Sequence, residues 1–188
     1  VVVLMVAGSA VISPTVEREV AAMLHCWYPG AEGGDVIART LFGENNPAGR
    51  LPVTFYRNTT ELPPFGDYAM AGRTYRFFEG EPAYPFGFGL SYTRFEYSDL
   101  QVEKRDSGVA VTVTVTNAGD RAGDEVVQVY ASQNANFRTP IRSLVAIKRI
   151  PLDQGQSIRV ELWIDNAHLE LTDPEGKQAL YPGTITFS

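Results

Sequence analysis

Two pairs of carboxylates are the first candidates for chemistry in this sequence. Glu79 and Glu81 stand two residues apart in a turn-rich segment, and Asp124 and Glu125 are adjacent at the start of a strand pattern. Paired carboxyl groups can combine a general acid with a nucleophile or base, provided that the surroundings raise the pKa of the acid. Adjacent strand residues point to opposite faces, and neither pair has an apolar wall beside it. We therefore predict that all four are solvated surface or turn residues.

The other reactive side chains stand alone. His25 and His168 have no Cys or His nearby at ligand spacing, which predicts hydrogen-bonded structural histidines and no metal site. Cys26 has apolar neighbours, so we predict a buried structural thiol. Ser9 lacks the second flanking glycine of a nucleophile elbow. Neither Gly33-Gly34 nor Gly87 with Gly89 is in the strand-to-helix setting of a phosphate loop. A nucleotide site is therefore not predicted, and no cofactor is expected.

Composition excludes several kinds of partner. The chain has 44% apolar and 20% charged residues, which is typical of one or two globular domains with a buried core. The formal net charge is −6 and the two signs are interspersed. There is no basic stripe for phosphate contacts, so nucleic acid is not an expected partner. No apolar stretch approaches the length of a membrane span, so a membrane is not expected either.

The first third of the chain predicts alternating strands and helices. Val1–Ala7 is a near-continuous apolar run, typical of a fully buried parallel strand, and Ala21–Trp27 predicts another. Ser13 begins a helix between them, and a second helix is predicted over 35–42. This order indicates an α/β layer, but two strands are too few for a stable sheet. A buried strand as the first element, without a Met, predicts that sequence upstream has been removed.

The rest of the chain divides into two sections. Residues 61–94 show no periodicity, and nine of the 21 aromatic residues fall between Phe65 and Tyr92; this predicts an irregular strap or linker. Residues 95–188 contain about seven short strand patterns separated by turn signals, of which Val109–Val115 alternates most clearly. They predict an antiparallel β-sandwich, and the domains are then 1–60, 61–94 and 95–188. Further strands are predicted at Glu125–Ala131, Leu144–Ile150, Ile158–Ile164 and Thr184–Phe187.

Six motifs resemble those of family 3 glycoside hydrolases and occur in the family's order over essentially the whole chain. They are the stretches Trp27–Gly34, Leu41–Gly43, Asn46–Thr54, Gly72–Phe78, Tyr84–Thr93 and Glu125–Tyr130. The resemblance implies a multidomain enzyme with an N-terminal (β/α)8-type barrel, an α/β sandwich domain and a fibronectin type III-like β-sandwich. This chain resembles the C-terminal part of the α/β sandwich domain, followed by the fibronectin type III-like antiparallel β-sandwich.

The activity that the resemblance implies is retaining hydrolysis of terminal β-linked sugars. That reaction needs two carboxyl groups about 5 Å apart across the scissile bond. In the family, the nucleophile is an Asp of the barrel, and the acid/base is usually a Glu before the strand that Val1–Ala7 resembles. No position here matches either motif, so no catalytic residue is expected and the chain alone should be inactive. The forms of Asn46–Thr54 and Gly72–Phe78 resemble the β-xylosidase branch more than the β-glucosidases.

The resemblance also suggests a role for the aromatic strap. Aromatic rings stack on sugar faces, and arginines hydrogen-bond to hydroxyls or carboxylates. Tyr68, Arg73 and Tyr75 are therefore candidate substrate-binding residues at the rim of the cleft in the parent enzyme. The alternative is that the strap only joins the α/β part to the sandwich. The rings that this alternative would bury are Phe86, Phe88 and Tyr92.

Two other functions stay open at this point. An independent carbohydrate-binding module would need several aromatic side chains on one flat face of the sandwich, whereas a dimerisation unit would make a homodimer. Through the parent enzyme, the expected partners are an oligosaccharide or aryl β-glycoside and the upstream barrel and α/β domain. The sugar (xylose, glucose or arabinose) and the linkage stay open. Family resemblance is compatible with a secreted, a periplasmic or a cytoplasmic location.

Overall fold

The computed structural model describes all 188 residues, which group into two units. One unit contains residues 1–45 and 50–89, and the other contains residues 46–49 and 90–188. Each unit is described by itself.

The first unit begins with a parallel pair of strands. β1 (Val2–Met5) and β2 (Ala22–His25) pair in parallel along their whole length. Helix α1 (Pro14–Glu19) lies between them in the chain. Ser13 caps this helix, because its hydroxyl oxygen accepts a hydrogen bond from the Val16 N–H at 3.4 Å. The predicted βαβ order is therefore confirmed.

The prediction that the first strand is fully buried is wrong. Val1, Val2, Leu4 and Val6 are all exposed. An apolar run predicts burial on both faces of a strand only if layers cover both faces. Within this chain, the face of β1 that carries Val2, Leu4 and Val6 has no covering layer.

The remainder of the first unit is mostly irregular. Helix α2 (Gly33–Leu41) is followed by Gly43, whose φ of 77° places it in the left-handed region that commonly terminates helices. A single 3-10 turn spans Thr59–Glu61, and the short helix α3 spans Thr74–Phe77. None of these helices has the length and apolar character needed to cross a membrane.

The second unit is a β-sandwich. Its strands are β3 (Phe95–Arg105), β4 (Gly108–Asn117), β5 (Gly123–Gln133), β6 (Ser143–Leu152), β7 (Ser157–Asp165), β8 (Leu171–Thr172), β9 (Gln178–Ala179) and β10 (Ile185–Phe187). One sheet has the order β3-β4-β7 and the other β10-β5-β6, and every pairing is antiparallel. β8 and β9 form a small separate ladder. The antiparallel β-sandwich expected for this part of the chain is confirmed.

Alternating side chains from both sheets make the core of the sandwich. On β4 the inward residues are valines, and Val111 and Val115 are fully buried. Ile164 of β7 and Leu152 of β6 meet them. Burial of each such side chain contributes roughly 1.5–3 kcal/mol. The period-two pattern that predicted the strands therefore also identifies the residues of the core.

Asn46, from the Asn-Pro-Ala-Gly-Arg motif, has a structural role in this unit. Its side-chain amide donates to the Ala122 carbonyl at 3.1 Å. Its side-chain oxygen accepts from the Ser91 hydroxyl at 2.9 Å and from the Tyr92 N–H at 2.8 Å. One side chain thus joins two segments that are far apart in sequence, which explains why this position suits asparagine.

Candidate functional site

The candidate site is the loop of residues 63–73, which is made of successive tight turns. The Asp67 N–H donates to the Pro64 carbonyl at 2.9 Å, which closes a four-residue turn. An Asp67 side-chain oxygen then accepts from the Ala69 N–H at 2.8 Å. The Arg73 N–H donates to the Met70 carbonyl at 3.0 Å and closes the next turn. We call residues 63–73 the rim loop.

Arg73 holds the rim loop together through its guanidinium group. Nη2 donates to the carbonyls of Pro64 at 3.0 Å and Asp67 at 2.6 Å. Nε donates to the Ala69 carbonyl at 3.2 Å. Loop carbonyls that would otherwise depend on water are satisfied by one planar fork of donors. In this structure, Arg73 therefore organises the rim loop.

Two aromatic side chains project from the loop that Arg73 organises. Tyr68 is 90% exposed and Phe65 is 96% exposed. Tyr75, the third candidate, lies differently, because its ring stacks on the Phe86 ring at 4.1 Å between centroids with an angle of 13°. Of the three predicted site residues, only Tyr68 therefore presents most of its ring to the outside. Sequence analysis did not select Phe65, although Pro64-Phe65-Gly66-Asp67 is a recognisable turn signature.

Thr74 fixes the point where the rim loop enters helix α3. Its φ is 57°, in the left-handed region that β-branched residues rarely adopt. The Thr74 N–H donates to the Tyr56 hydroxyl at 2.6 Å. The Tyr56 ring in turn packs edge-on against Phe78, with 4.9 Å between centroids. An unfavourable backbone conformation of this kind persists only where its surroundings enforce it.

The first unit also contains an aromatic cluster around Phe55. Phe55 is 2% exposed, and its N–H donates to the Tyr84 carbonyl at 2.9 Å. The rings of His25, Trp27 and Tyr84 lie edge-on around it, with centroids 5.3, 6.5 and 6.2 Å away. Burial, together with a hydrogen bond to Glu17, raises the pKa of Tyr84 to about 12. The Tyr84 hydroxyl therefore stays protonated through the physiological range.

His25 does not fit the prediction of a hydrogen-bonded histidine. Neither imidazole nitrogen has a hydrogen-bond partner, although both nitrogens are buried. The ring is held by edge-on contacts, with Trp27 at 4.5 Å and Phe55 at 5.3 Å. Next to it, Cys26 is half-buried and not fully buried as predicted, and this partial burial raises the pKa of its thiol.

Among the carboxylates considered for chemistry, Glu81, Asp124 and Glu125 each have a partner within their own unit. Glu81 lies 3.2 Å from the Arg57 guanidinium and is well exposed, and Asp124 lies 2.6 Å from Arg149. The prediction of a solvated side chain is wrong for Glu125, which is only 7% exposed. The Tyr97 hydroxyl donates to its Oε1 at 2.8 Å, which compensates for its burial. No group of three or more His, Cys, Asp or Glu side chains is arranged to hold a metal ion.

The role of Arg73 in the rim loop can be tested by substitution. We expect Arg73→Ala to weaken the rim loop by about 1–2 kcal/mol, which would speed amide exchange at Asp67 and Ala69 by about 5- to 30-fold. Arg73→Lys keeps the charge but not the fork, so its effect should be intermediate. Arg76→Ala is the control, because the Arg76 guanidinium only lies over the Phe77 ring at 5.8 Å. Equal exchange rates in wild type and Arg73→Ala would contradict the assignment.

Comparison with known proteins identifies the family. Residues 1–92 match the glycosyl hydrolase family 3 C-terminal domain, and residues 125–188 match the fibronectin type III-like domain. The chain belongs to glycoside hydrolase family 3. It is 39% identical over 170 residues to a xylan 1,4-β-xylosidase of Xylanibacter ruminicola, covering 89% of the chain and 20% of that protein. It is 35% identical to a periplasmic β-glucosidase of Salmonella typhimurium, covering 89% of the chain and 24% of that protein.

Solved structures agree with this membership. An exo-β-xylosidase of family 3, in complex with a xylobiose aziridine probe, matches all of the chain and 29% of its own with a TM-score of 0.90 and 29% identity. β-Glucosidase 3B of Thermotoga neapolitana, in complex with α-D-glucose, covers 92% of the chain and 27% of its own with a TM-score of 0.86 and 35% identity. The chain therefore spans about a quarter of the length of these family members.

Proposed function

We propose that this chain is the C-terminal part of a retaining, exo-acting β-glycosidase that removes terminal β-linked sugars from plant-type oligosaccharides. The observation that carries the proposal is the family match along the chain, with β-xylosidases and β-glucosidases as relatives. Retaining hydrolysis proceeds by attack of a carboxylate on the anomeric carbon while a second carboxyl group protonates the leaving oxygen. Water, activated by that second group, then releases the sugar.

Within this proposal, the chain carries neither member of the catalytic pair. Asp124 and Glu125 are adjacent on β5 and point to opposite sides, and Asp124 is engaged with Arg149. Glu81 is exposed and paired with Arg57. An exposed, paired carboxylate has no reason to hold the raised pKa of a general acid. The pair belongs to the upstream barrel and α/β domain of the parent enzyme, which this chain completes and braces.

Xylose is the preferred sugar in this proposal, ahead of glucose. Two motifs favour it, Asn46–Thr54 and Gly72–Phe78, because both resemble the β-xylosidase branch. Asn46 orders the loops around Ser91 and Ala122, and Arg73 orders the rim loop. Since Arg73 organises the backbone of the rim loop, specificity would follow from how that loop shapes the cleft rim. The division of the chain at residues 60 and 94 stays a prediction.

The rim of the substrate cleft is where this chain contacts the substrate in our proposal. Tyr68 supplies the stacking surface, Arg73 positions it through the rim loop, and Tyr75 supports the segment through Phe86. A carbohydrate-binding platform on the sandwich is less well supported. Arg142 lies over the Tyr130 ring at 5.0 Å and Arg105 over the Trp163 ring at 6.0 Å, on different sheets. Those two rings do not share a flat face.

The test compares this chain with the full-length protein. Both are assayed against p-nitrophenyl β-xyloside and p-nitrophenyl β-glucoside. We expect no turnover by the chain and faster cleavage of the xyloside by the full-length enzyme. Turnover by the chain above a buffer blank would contradict the proposal that the chain lacks the catalytic pair. Faster cleavage of the glucoside by the full-length enzyme would overturn only the preference for xylose.

Tyr68 is tested in the full-length enzyme. We expect Tyr68→Ala to raise KM for xylobiose by about two- to tenfold with little change in kcat, because stacking of a ring is worth about 0.5–1.5 kcal/mol. Tyr68→Phe keeps the stacking surface and should stay close to wild type. If Tyr68→Phe is as impaired as Tyr68→Ala, the hydroxyl rather than the ring makes the contact. An unchanged KM in Tyr68→Ala would remove Tyr68 from the substrate cleft.

A further inference from the structure

Gly8 and Tyr28 lie against each other at one end of the parallel pair of β1 and β2. Each follows its strand by three residues, because β1 ends at Met5 and β2 ends at His25. The Cys26 N–H donates to the Met5 carbonyl at 2.8 Å, which continues the pairing to the ends of both strands. In sheets whose parallel strands alternate with helices, ligands bind outside the carboxyl ends of the strands. Gly8 and Tyr28 are at that end.

The hydroxyl end of the Tyr28 ring lies on the backbone of Gly8. A β-carbon added at Gly8 would be only 2.5 Å from Tyr28 Cε2 and 3.0 Å from the hydroxyl oxygen. The ring therefore occupies the place of a side chain, and glycine is the residue that permits this close approach. Tyr28 is nevertheless 78% exposed, so most of the surface of its ring is open to a ligand.

The backbone that carries Tyr28 is fixed on both sides. Trp27 has a φ of 52°, in the left-handed region that a bulky residue rarely adopts. Its ring is held edge-on against the His25 ring, with 4.5 Å between centroids. On the other side, Pro29 packs on Gly33 at the start of α2, where an added β-carbon would lie 2.6 Å from Pro29 Cγ. A backbone outlier that its surroundings hold in place is typical of sites that bind ligands.

We propose that Tyr28 is a further substrate-binding residue, whose ring stacks on a sugar unit of the β-linked oligosaccharide. This inference rests on the proposed function, which supplies the sugar as the ligand. A sugar ring presents C–H groups on its faces and hydroxyls around its edge, which suits an aromatic ring with a polar end. A ring that is positioned before binding also loses little freedom when the sugar stacks on it. Gly8 is a positioning residue, because it fixes where the Tyr28 ring lies.

The first test replaces the ring in the full-length enzyme. The substrate is xylobiose, or cellobiose if the aryl glucoside proves to be cleaved faster than the aryl xyloside. We expect Tyr28→Ala to raise KM by about two- to tenfold with kcat nearly unchanged, because it removes only a stacking contact. Tyr28→Phe retains the ring and should recover most of the affinity. The urea midpoint of Tyr28→Ala should equal that of the wild type.

The second test moves the ring without replacing it. The new methyl group of Gly8→Ala would push the hydroxyl end of the Tyr28 side chain aside, so KM should rise with little change in the urea midpoint. In the Tyr28→Ala background, Gly8→Ala should have no further effect, because the ring that it displaces is gone. Gly34→Ala is the matched control and should leave KM unchanged, since nothing lies within 4 Å of a β-carbon added there.

The contrary results are distinct from one another. An unchanged KM in Tyr28→Ala would show that the ring does not contact the substrate, and a lower urea midpoint beside it would show that the ring packs within the enzyme. A Tyr28→Phe variant as impaired as Tyr28→Ala would rule out stacking. Additive effects of Gly8→Ala and Tyr28→Ala on KM would show that Gly8 does not act through the ring. A wild-type enzyme that cleaves neither aryl glycoside would overturn the proposed function and this inference with it.

Discussion

Replacement of Asn117 by alanine is expected to lower the free energy of unfolding of the β-sandwich by about 3–5 kcal/mol. Asn117 is 0% exposed at the end of β4. Its amide donates to the Arg121 carbonyl at 2.8 Å and the Leu152 carbonyl at 3.1 Å. Its side-chain oxygen accepts from the Thr93 hydroxyl at 2.6 Å and the Gly119 N–H at 3.2 Å. Alanine would leave these groups without their partner in a buried or partly buried place, and each loss in a buried place costs about 1–3 kcal/mol.

The measurement follows urea unfolding of the sandwich by tryptophan emission. The chain has two tryptophans, of which Trp27 lies in the first unit and Trp163 in the second. A Trp27→Phe background therefore reports the sandwich alone. Asn136→Ala is the matched control, because Asn136 is exposed and should change stability by less than about 0.5 kcal/mol. Similar unfolding midpoints for Asn117→Ala and Asn136→Ala would refute the expectation.

Phe55→Ala is expected to destabilise the first unit by about 3–5 kcal/mol, the usual cost of removing a buried phenyl ring. Phe55 is at the centre of the cluster formed with His25, Trp27 and Tyr84. Its removal would leave a cavity at the place where backbone pairing connects residue 55 with residues 83 and 84. The effect should extend to the segment that carries the rim loop, because that segment follows directly in the chain.

Unfolding of the first unit is followed by Trp27 emission in a Trp163→Phe background. The Trp27 ring lies 6.5 Å from Phe55, so its emission reports on the site of the change. Phe65→Ala is the same chemical change at a side chain that is 96% exposed, and it should leave the urea midpoint nearly unchanged. If the two variants unfold at the same urea concentration, the cluster does not stabilise this unit.

Local pattern was enough to predict most strands of the sandwich. The alternation of valine with alanine and threonine over Val109–Val115 identified β4 and its buried face. β3 (Phe95–Arg105) was not identified, since it is an edge strand whose side chains are nearly all exposed. Without a buried face, a strand has no reason to alternate apolar and polar residues, so its sequence carries no period-two signal.

Predictions about single side chains failed where the partner lies far along the chain. Glu125 follows Asp124 in a strand, and nothing near it in sequence indicates the Tyr97 hydroxyl that makes its burial tolerable. His25 was expected to have a hydrogen-bond partner, but its two ring nitrogens have none, and its ring packs against those of Trp27 and Phe55. In both cases, a residue distant in the chain makes part of the environment, and its position depends on how the elements pack.

At the candidate site, too, the sequence indicated the type of residue but not its environment. The type of residue selected Tyr68, Arg73 and Tyr75 as candidates, because aromatic rings and guanidinium groups are suited to sugars. Their three different situations were not predictable from spacing alone. Arg73 bonds to loop carbonyls, Tyr75 stacks on Phe86, and only Tyr68 is largely exposed. Each of these environments depends on turns and ring contacts that exist only in the folded chain.

The sequence by itself determined the family and the α/β part followed by a β-sandwich. These follow from motifs and periodicity, which are properties of neighbouring residues. Only the tertiary structure decided that Glu125 is buried, that Arg73 organises the rim loop and that Tyr75 stacks on Phe86. The physical reason is that burial, hydrogen-bond partners and ring contacts depend on residues distant in the chain, and only folding brings these together.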